Sequence, residues 1–254
     1  MLRAAIPAAS TLLGETIALM LMLLLTGRIL FFASASGSRR AAMRELIALA
    51  LPLTGMRLIS SLMRTVQSVL IPARLQVSGM TGGEALSQLG MLNGMMMPVL
   101  MLPSFVTCSL SMVAAPELTR RQAQGRAQRP LVMRVLGATI LIGAAAMAAV
   151  FLLAPVFAHT LYRQAELLVL LRRCCILIPI MALCQVVSSL MNALGLQRPS
   201  LRISIGANLM STLMMYMLAA HPSLRLWGVI AAMTAAQAVT LILSLRALFH
   251  AMDH

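Results

Sequence analysis

Apolar residues in this chain run on for far longer than the three-and-four spacing of a surface helix permits. A hydrocarbon slab about 30 Å thick is crossed by roughly 20 apolar residues in a helix. Seven stretches meet that length, at 4–32, 46–71, 85–115, 131–157, 167–193, 200–220 and 226–249. The breaks between them carry turn residues: Ser36-Gly37-Ser38, Gly82-Gly83, Pro116 to Pro130, Gly195 with Pro199, and His221-Pro222. No soluble domain fits between the runs. The pattern predicts an all-α fold, a polytopic transmembrane helix bundle of about seven spans. Three parts follow: a single helix at 1–34, a basic linker at 35–45 and a six-helix lobe at 46–254.

Residues Ala33-Ser34-Ala35 resemble a leader-peptide cleavage site, which would remove the first span. Against that reading, the apolar stretch is too long, it carries Glu15 and Arg28, and more positive charge follows it than precedes it. A retained helix is the expectation.

Composition narrows the function. The chain is 60% apolar and 10% charged, against about 25% charged in a soluble domain, so a water-soluble enzyme is excluded. All basic residues are arginine, and 20 of them face 6 acidic residues for a net charge of +14. Such a balance in a soluble protein would point to nucleic acid. Here the arginines flank apolar runs, where phospholipid headgroups supply the counter-charge, so membrane lipids and no nucleic acid are expected. Arg28, Arg39, Arg40, Arg44, Arg120, Arg121, Arg126, Arg129, Arg134, Arg198, Arg202 and Arg246 fall on one side of the bundle. Arg3, Arg74, Arg163 and Arg225 fall on the other, with Arg172 and Arg173 left to join them. The positive-inside rule then sets the larger group in the cytoplasm, with the N-terminus outside and the C-terminus inside a cell membrane. An outside N-terminus calls for something upstream to set the first crossing, so the chain reads as the back part of a longer transporter.

Within the second stretch lie two arginines, Arg57 and Arg64. Each costs about 2.5 to 3.5 kcal/mol at mid-helix, and apolar residues return roughly 0.3 to 0.6 kcal/mol each, so this helix nearly breaks even against lipid. Arg57, Ser60, Ser61, Arg64, Gln67 and Ser68 recur at three and four and form one stripe. That stripe is expected to line a water-accessible cavity in which the planar guanidinium forks bind a phosphate-bearing substrate. The alternative is that the arginines snorkel, or pair with Glu15 or backbone carbonyls. The third stretch holds Pro98 and Pro103 among Asn93, Ser104, Thr107, Ser109 and Ser111. A hinge and a static kink are both open there.

Other chemistry is thin. The 23 methionines suit either a surface that repacks around varied ligands or ordinary membrane packing. Cys108, Cys174, Cys175 and Cys184 read as small apolar residues, and the histidines at 159, 221, 250 and 254 have no partner at ligand spacing, so no metal is expected. The only aspartate is Asp253, which leaves intramembrane proteolysis without its acids, and a phosphate-binding glycine loop is missing. Neither catalytic residues nor a cofactor are expected. Glu15 is the only mid-span carboxylate, so the energy source stays open.

The run Leu51-Pro52-Leu53 through Arg57-Leu58-Ile59-Ser60-Ser61-Leu62 to Leu70-Ile71-Pro72-Ala73-Arg74-Leu75-Gln76 resembles the seventh helix of stage V sporulation protein B-like polysaccharide transporters. These lie in the superfamily of multidrug, oligosaccharidyl-lipid and polysaccharide exporters, so the chain looks MATE-like. Further matches follow in order: Pro98-Val99-Leu100, Leu102-Pro103-Ser104, Ser109-Leu110 to Pro116-Glu117, Pro179 to Gln185, Leu194-Gly195-Leu196-Gln197, Asn208-Leu209 and Leu226-Trp227-Gly228-Val229-Ile230. The resemblance implies two six-helix lobes around a central cavity that work by alternating access. This chain would supply the last helix of the first lobe and all of the second, so a second lobe or a homodimer partner is implied. It also implies a flippase that moves an anionic lipid-linked saccharide, a cell-envelope precursor. A non-transporting membrane scaffold or truncated remnant is the alternative. An exporter of cationic drugs fits less well, because Arg57 and Arg64 would repel the cargo.

Overall fold

A computed structural model describes Ile17, Met20 and residues 39–221 and 224–252, with side chains from Leu58 onward besides those of Ile17 and Met20. The chain divides into two compact units, residues 1–49 and 50–254. The expected first span, with Glu15 and Arg28, lies outside the described residues. Every described element is helical: α1 (Arg39–Val77), α2 (Gly82–Gly90), α3 (Met97–Met101), α4 (Ser104–Ala123), α5 (Arg129–Pro155), α6 (Ala165–Cys174), α7 (Leu177–Ala193), α8 (Gln197–Leu218) and α9 (Arg225–Met252). Short π-helical segments, Met91–Met96 and Val156–Leu161, join α2 to α3 and extend α5.

The span count differs from the seven expected. Among the described residues, three helices are long and apolar enough to cross a membrane: Arg129–Leu161, Gln197–Leu218 and Arg225–Met252. Two bent pairs raise the number to five. Gly82–Met101 turns into Ser104–Ala123 through 48°, and Ala165–Cys174 turns into Leu177–Ala193 through 54°. Proline explains both breaks, since it has no N–H and its ring crowds the carbonyl four residues back. At the first, Pro103 cannot bond Val99, and the Leu102 N–H takes that carbonyl instead at 3.3 Å. Pro98 sits in the first turn of α3, just after a π-segment in which the Met97 N–H reaches back to Leu92. At the second, Pro179 cannot bond Cys175, whose carbonyl accepts from the Ile178 N–H at 3.0 Å. A bend was anticipated at Pro98 and Pro103. The one before Pro179 was not.

Helix α7 is the axis of the second unit, packed by α4, α5 and α9, while α8 pairs with α9. Two apolar cores close opposite ends. The end carrying the 77–82, 161–165 and 218–225 connections gathers Leu75, Leu92, Met96, Leu167, Leu171 and Met215. At the other end, Leu118, Val132, Val187, Leu190, Met191 and Leu248 pack together. Outward faces stay apolar, as at Phe105, Val113, Leu141, Leu152 and Met217, which suits a lipid surround.

Candidate functional site

Helix α1 meets the bundle along a stripe with the helical repeat. Ser60, Met63 and Gln67 are half-buried, and Ile71, Leu75 and Ser78 are buried. The stripe passes from polar to apolar at Gln67, where it leaves the middle of the bundle for the first core. Gln67 Nε2 donates to Thr212 Oγ1 at 3.0 Å. Thr212 Oγ1 donates in turn to the Asn208 carbonyl at 2.8 Å, and Asn208 Nδ2 to the Ser204 carbonyl at 2.9 Å. Those three α8 residues are spaced by four, so they line one face. A second tie lies two turns along α1, where Arg74 Nε donates to the Tyr216 carbonyl at 3.0 Å and the guanidinium stacks 3.9 Å from the Tyr216 ring centre.

Between the two cores lies a polar layer around two clefts that open at the surface of the bundle, the larger beside the exposed Phe105 and Gln185. One, of about 230 Å³, is lined by Gln67, Ser204, Asn208, Ser211, Gln237 and Thr240, with apolar neighbours. The other, of about 530 Å³, adds Ser104, Cys108, Gln185, Ser188, Ser200 and Ser244 and shares Ser204, Gln237 and Thr240 with the first. Neither lining includes a charged residue. Thr240 donates its proton to the Ala236 carbonyl at 2.7 Å, which leaves its oxygen free to accept. The Gln185 and Gln237 amides bring donors as well. The hydroxyl and amide groups of these partly open clefts suit a ligand rich in neutral donors and acceptors and offer no counter-charge.

Of the residues expected to bind substrate, Gln67 lines the cavity and Ser60 is half-buried. Ser61, Arg64 and Ser68 are exposed, and Ser68 Oγ donates to the Thr65 carbonyl at 2.7 Å. Arg64 has no ion-pair partner among the described residues. The Arg57 side chain lies outside the described residues. Pro98 and Pro103 stand at the bend ahead of Ser104, which lines the larger cleft. Sequence reasoning missed most of the lining. A usable signal was present: Ser200, Ser204, Asn208 and Thr212 repeat at four on α8, and Gln237, Thr240 and Ser244 at three and four on α9. Among the described residues, no group of three or more histidine, cysteine, aspartate or glutamate side chains could hold a metal.

The Gln67–Thr212 bond gives a direct check on how α1 joins the bundle. A double-mutant cycle with Gln67→Leu and Thr212→Val is expected to return a coupling of about 0.6 kcal/mol, and roughly 1.7 kcal/mol at most, as for interhelical bonds in other membrane bundles. A coupling of zero would mean that α1 does not rest on α8 through this pair.

In sequence, the chain is similar to stage V sporulation protein B of Bacillus subtilis (strain 168), 26% identical over 204 residues that make up 78% of this chain and 39% of the relative. It is also similar to sporulation protein YkvU of the same organism, 27% identical over 127 residues, 48% of this chain and 28% of the relative. The chain thus spans well under half the length of either curated relative. No family model matches, and no solved structure matches.

Proposed function

We propose that this chain forms one lobe of a membrane transporter that carries a lipid-linked saccharide, a cell-envelope precursor, across the cell membrane by alternating access. The uncharged polar layer between the two apolar cores carries the reading, because hydroxyl and amide groups can exchange hydrogen bonds with sugar hydroxyls without the desolvation cost of a buried charge. In this scheme Arg57 and Arg64 hold the lipid-linked phosphate, Ser60, Ser61, Gln67 and Ser68 help to seat it, and Gln67 marks the way to the saccharide cavity. The bend at Pro98 and Pro103 serves as the hinge, with Ser104 moving at its edge. A second lobe completes the pathway, from another segment or a second copy. The relatives' names add sporulation as the setting.

Orientation belongs to the same proposal. Arg120, Arg121, Arg126, Arg129, Arg134, Arg198, Arg202 and Arg246 lie towards the end with the 123–129 and 193–197 connections, against Arg74, Arg163, Arg172, Arg173 and Arg225 towards the other, and this bias supports a reading in which the first end and the C-terminus face the cytoplasm.

The test is complementation of a bacterial strain that lacks its own lipid-linked saccharide flippase, with membrane abundance of the variants held equal. Arg57→Ala and Arg64→Ala are each expected to lower growth at least tenfold, in line with the roughly 1.5 to 3 kcal/mol typical of a charge-assisted hydrogen bond. Full growth of both variants would end the phosphate role. A non-transporting scaffold predicts instead that the unmodified chain, supplied with a second lobe, assembles in the membrane and still fails to rescue.

A further inference from the structure

Arg172 and Arg173 take no part in holding the substrate in the transport scheme, and their surroundings point to a ligand of their own. They lie in the last turn of α6, just ahead of Cys174 and the bend into α7. Neither has an ion-pair partner among the described residues, and each lies over an aromatic ring: the Arg172 guanidinium 5.2 Å from the Phe151 ring centre, the Arg173 guanidinium 4.9 Å from that of Trp227. The ring faces attract each guanidinium, while its N–H donors have no hydrogen-bond partner among the described residues. Beside them runs a groove of about 550 Å³ between α5 and the α6–α7 bend, walled by Met147, Ala148, Phe151, Leu152 and Ile176. The arginines form its polar lip, and the exposed apolar faces of Leu152 and Ile176 carry the groove onto the outer surface of the bundle.

We propose that this groove binds one anionic phospholipid, its phosphate against Arg172 and Arg173 and an acyl chain along Met147, Phe151 and Leu152. Charge complementarity selects this occupant. A protein helix seated here would have to bring its own carboxylates to satisfy two arginines, whereas a phospholipid carries the anion and the hydrocarbon at the right separation in one molecule. Two arginines at the head of an apolar slot match that pairing. The site is distinct from the polar cavity and holds whether or not the chain transports.

Trp227, the only tryptophan in the sequence, reports on it directly. The full chain is placed in phosphatidylcholine vesicles containing increasing fractions of phosphatidylglycerol brominated on its acyl chains, and quenching of Trp227 is compared with that from brominated phosphatidylcholine. Phosphatidylglycerol is expected to be favoured about fivefold or more. The preference should vanish in the Arg172→Gln/Arg173→Gln double variant and survive in Arg172→Lys/Arg173→Lys. Should the glutamine variant fold poorly, as judged by helical content, Ala148→Phe decides, since it fills the groove while keeping both charges and is expected to abolish the preference. Equal quenching by the two lipids in the unmodified chain, or a preference that outlasts either the loss of both charges or the filling of the groove, would overturn the proposal.

Discussion

Replacing Gly228 with alanine is expected to lower the stability of the bundle by about 2 to 3 kcal/mol, towards the upper end of the usual cost of overpacking. A Cβ at Gly228 would fall 2.6 Å from the Leu218 carbonyl oxygen and 2.8 Å from its carbon. Both contacts are backbone, so no side-chain rotation relieves them. The Leu218 carbonyl is held in the turn by the His221 N–H at 3.2 Å, and the Gly228 N–H is tied to Leu224 at 3.3 Å. The α8–α9 crossing must therefore open as a unit. Thermal unfolding in detergent, followed by Trp227 emission, reads the effect. Gly137→Ala is the control: a Cβ there meets nothing within 4 Å, and the helical gain over glycine is up to about 1 kcal/mol. A Gly228→Ala protein that melts with the unmodified chain would show that the crossing is looser than described.

Gly143→Val is expected to cost about as much at the other crossing. A Cβ at Gly143 would sit 2.9 Å from the Pro179 Cα and 3.0 Å from its Cβ. Pro179 is a rigid ring at the start of α7, and two further methyl groups on valine would have to enter the same contact. In lipid the unfolded helices already lie in hydrocarbon, so the stability of the bundle rests on close packing more than on removal of apolar surface from water. A misfit between α5 and the central helix is therefore felt in full, by roughly 2 to 3 kcal/mol. The measurement is the same melt, with Gly206→Ala as control because a Cβ there is also unopposed. Equal melting temperatures for Gly143→Val and the unmodified chain would mean that α5 and α7 are not in contact at this point.

These two contacts explain residues that carried the family resemblance without a stated reason. Gly228 stands in Leu226-Trp227-Gly228-Val229-Ile230 and Pro179 opens Pro179 to Gln185. Their place in the order and spacing of the matches was visible in the sequence, and their partners Leu218 and Gly143 were not, because no local pattern records which helices cross. The helical class and the bounds of the stretches from residue 131 onward were legible from hydropathy alone, since a run such as 131–157 leaves a backbone in lipid no alternative. The break at residues 175–176 escaped notice because apolar character continues through it, although Pro179 four residues on was a fair warning. The site was harder. Arginine dominates any count of insertion cost, so Arg57 and Arg64 stand out in the sequence, while serine, threonine and asparagine cost little apiece and hide in an apolar run. Only the packing of α4, α7, α8 and α9 shows that Ser104, Gln185, Ser204 and Gln237 share a space.

The wider turn at Met91–Met96 sets the phase of everything after it in that arm. It takes up one residue beyond the regular repeat, and one residue of an α-helix is about 100° of rotation. Excising a single position there would leave the composition of the arm almost untouched while swinging Val99 and Leu100, now 2% and 1% exposed, off the core. Descendants of this sequence should accept changes of side chain at the exposed Asn93 and Gly94 far more readily than a change in the length of that segment.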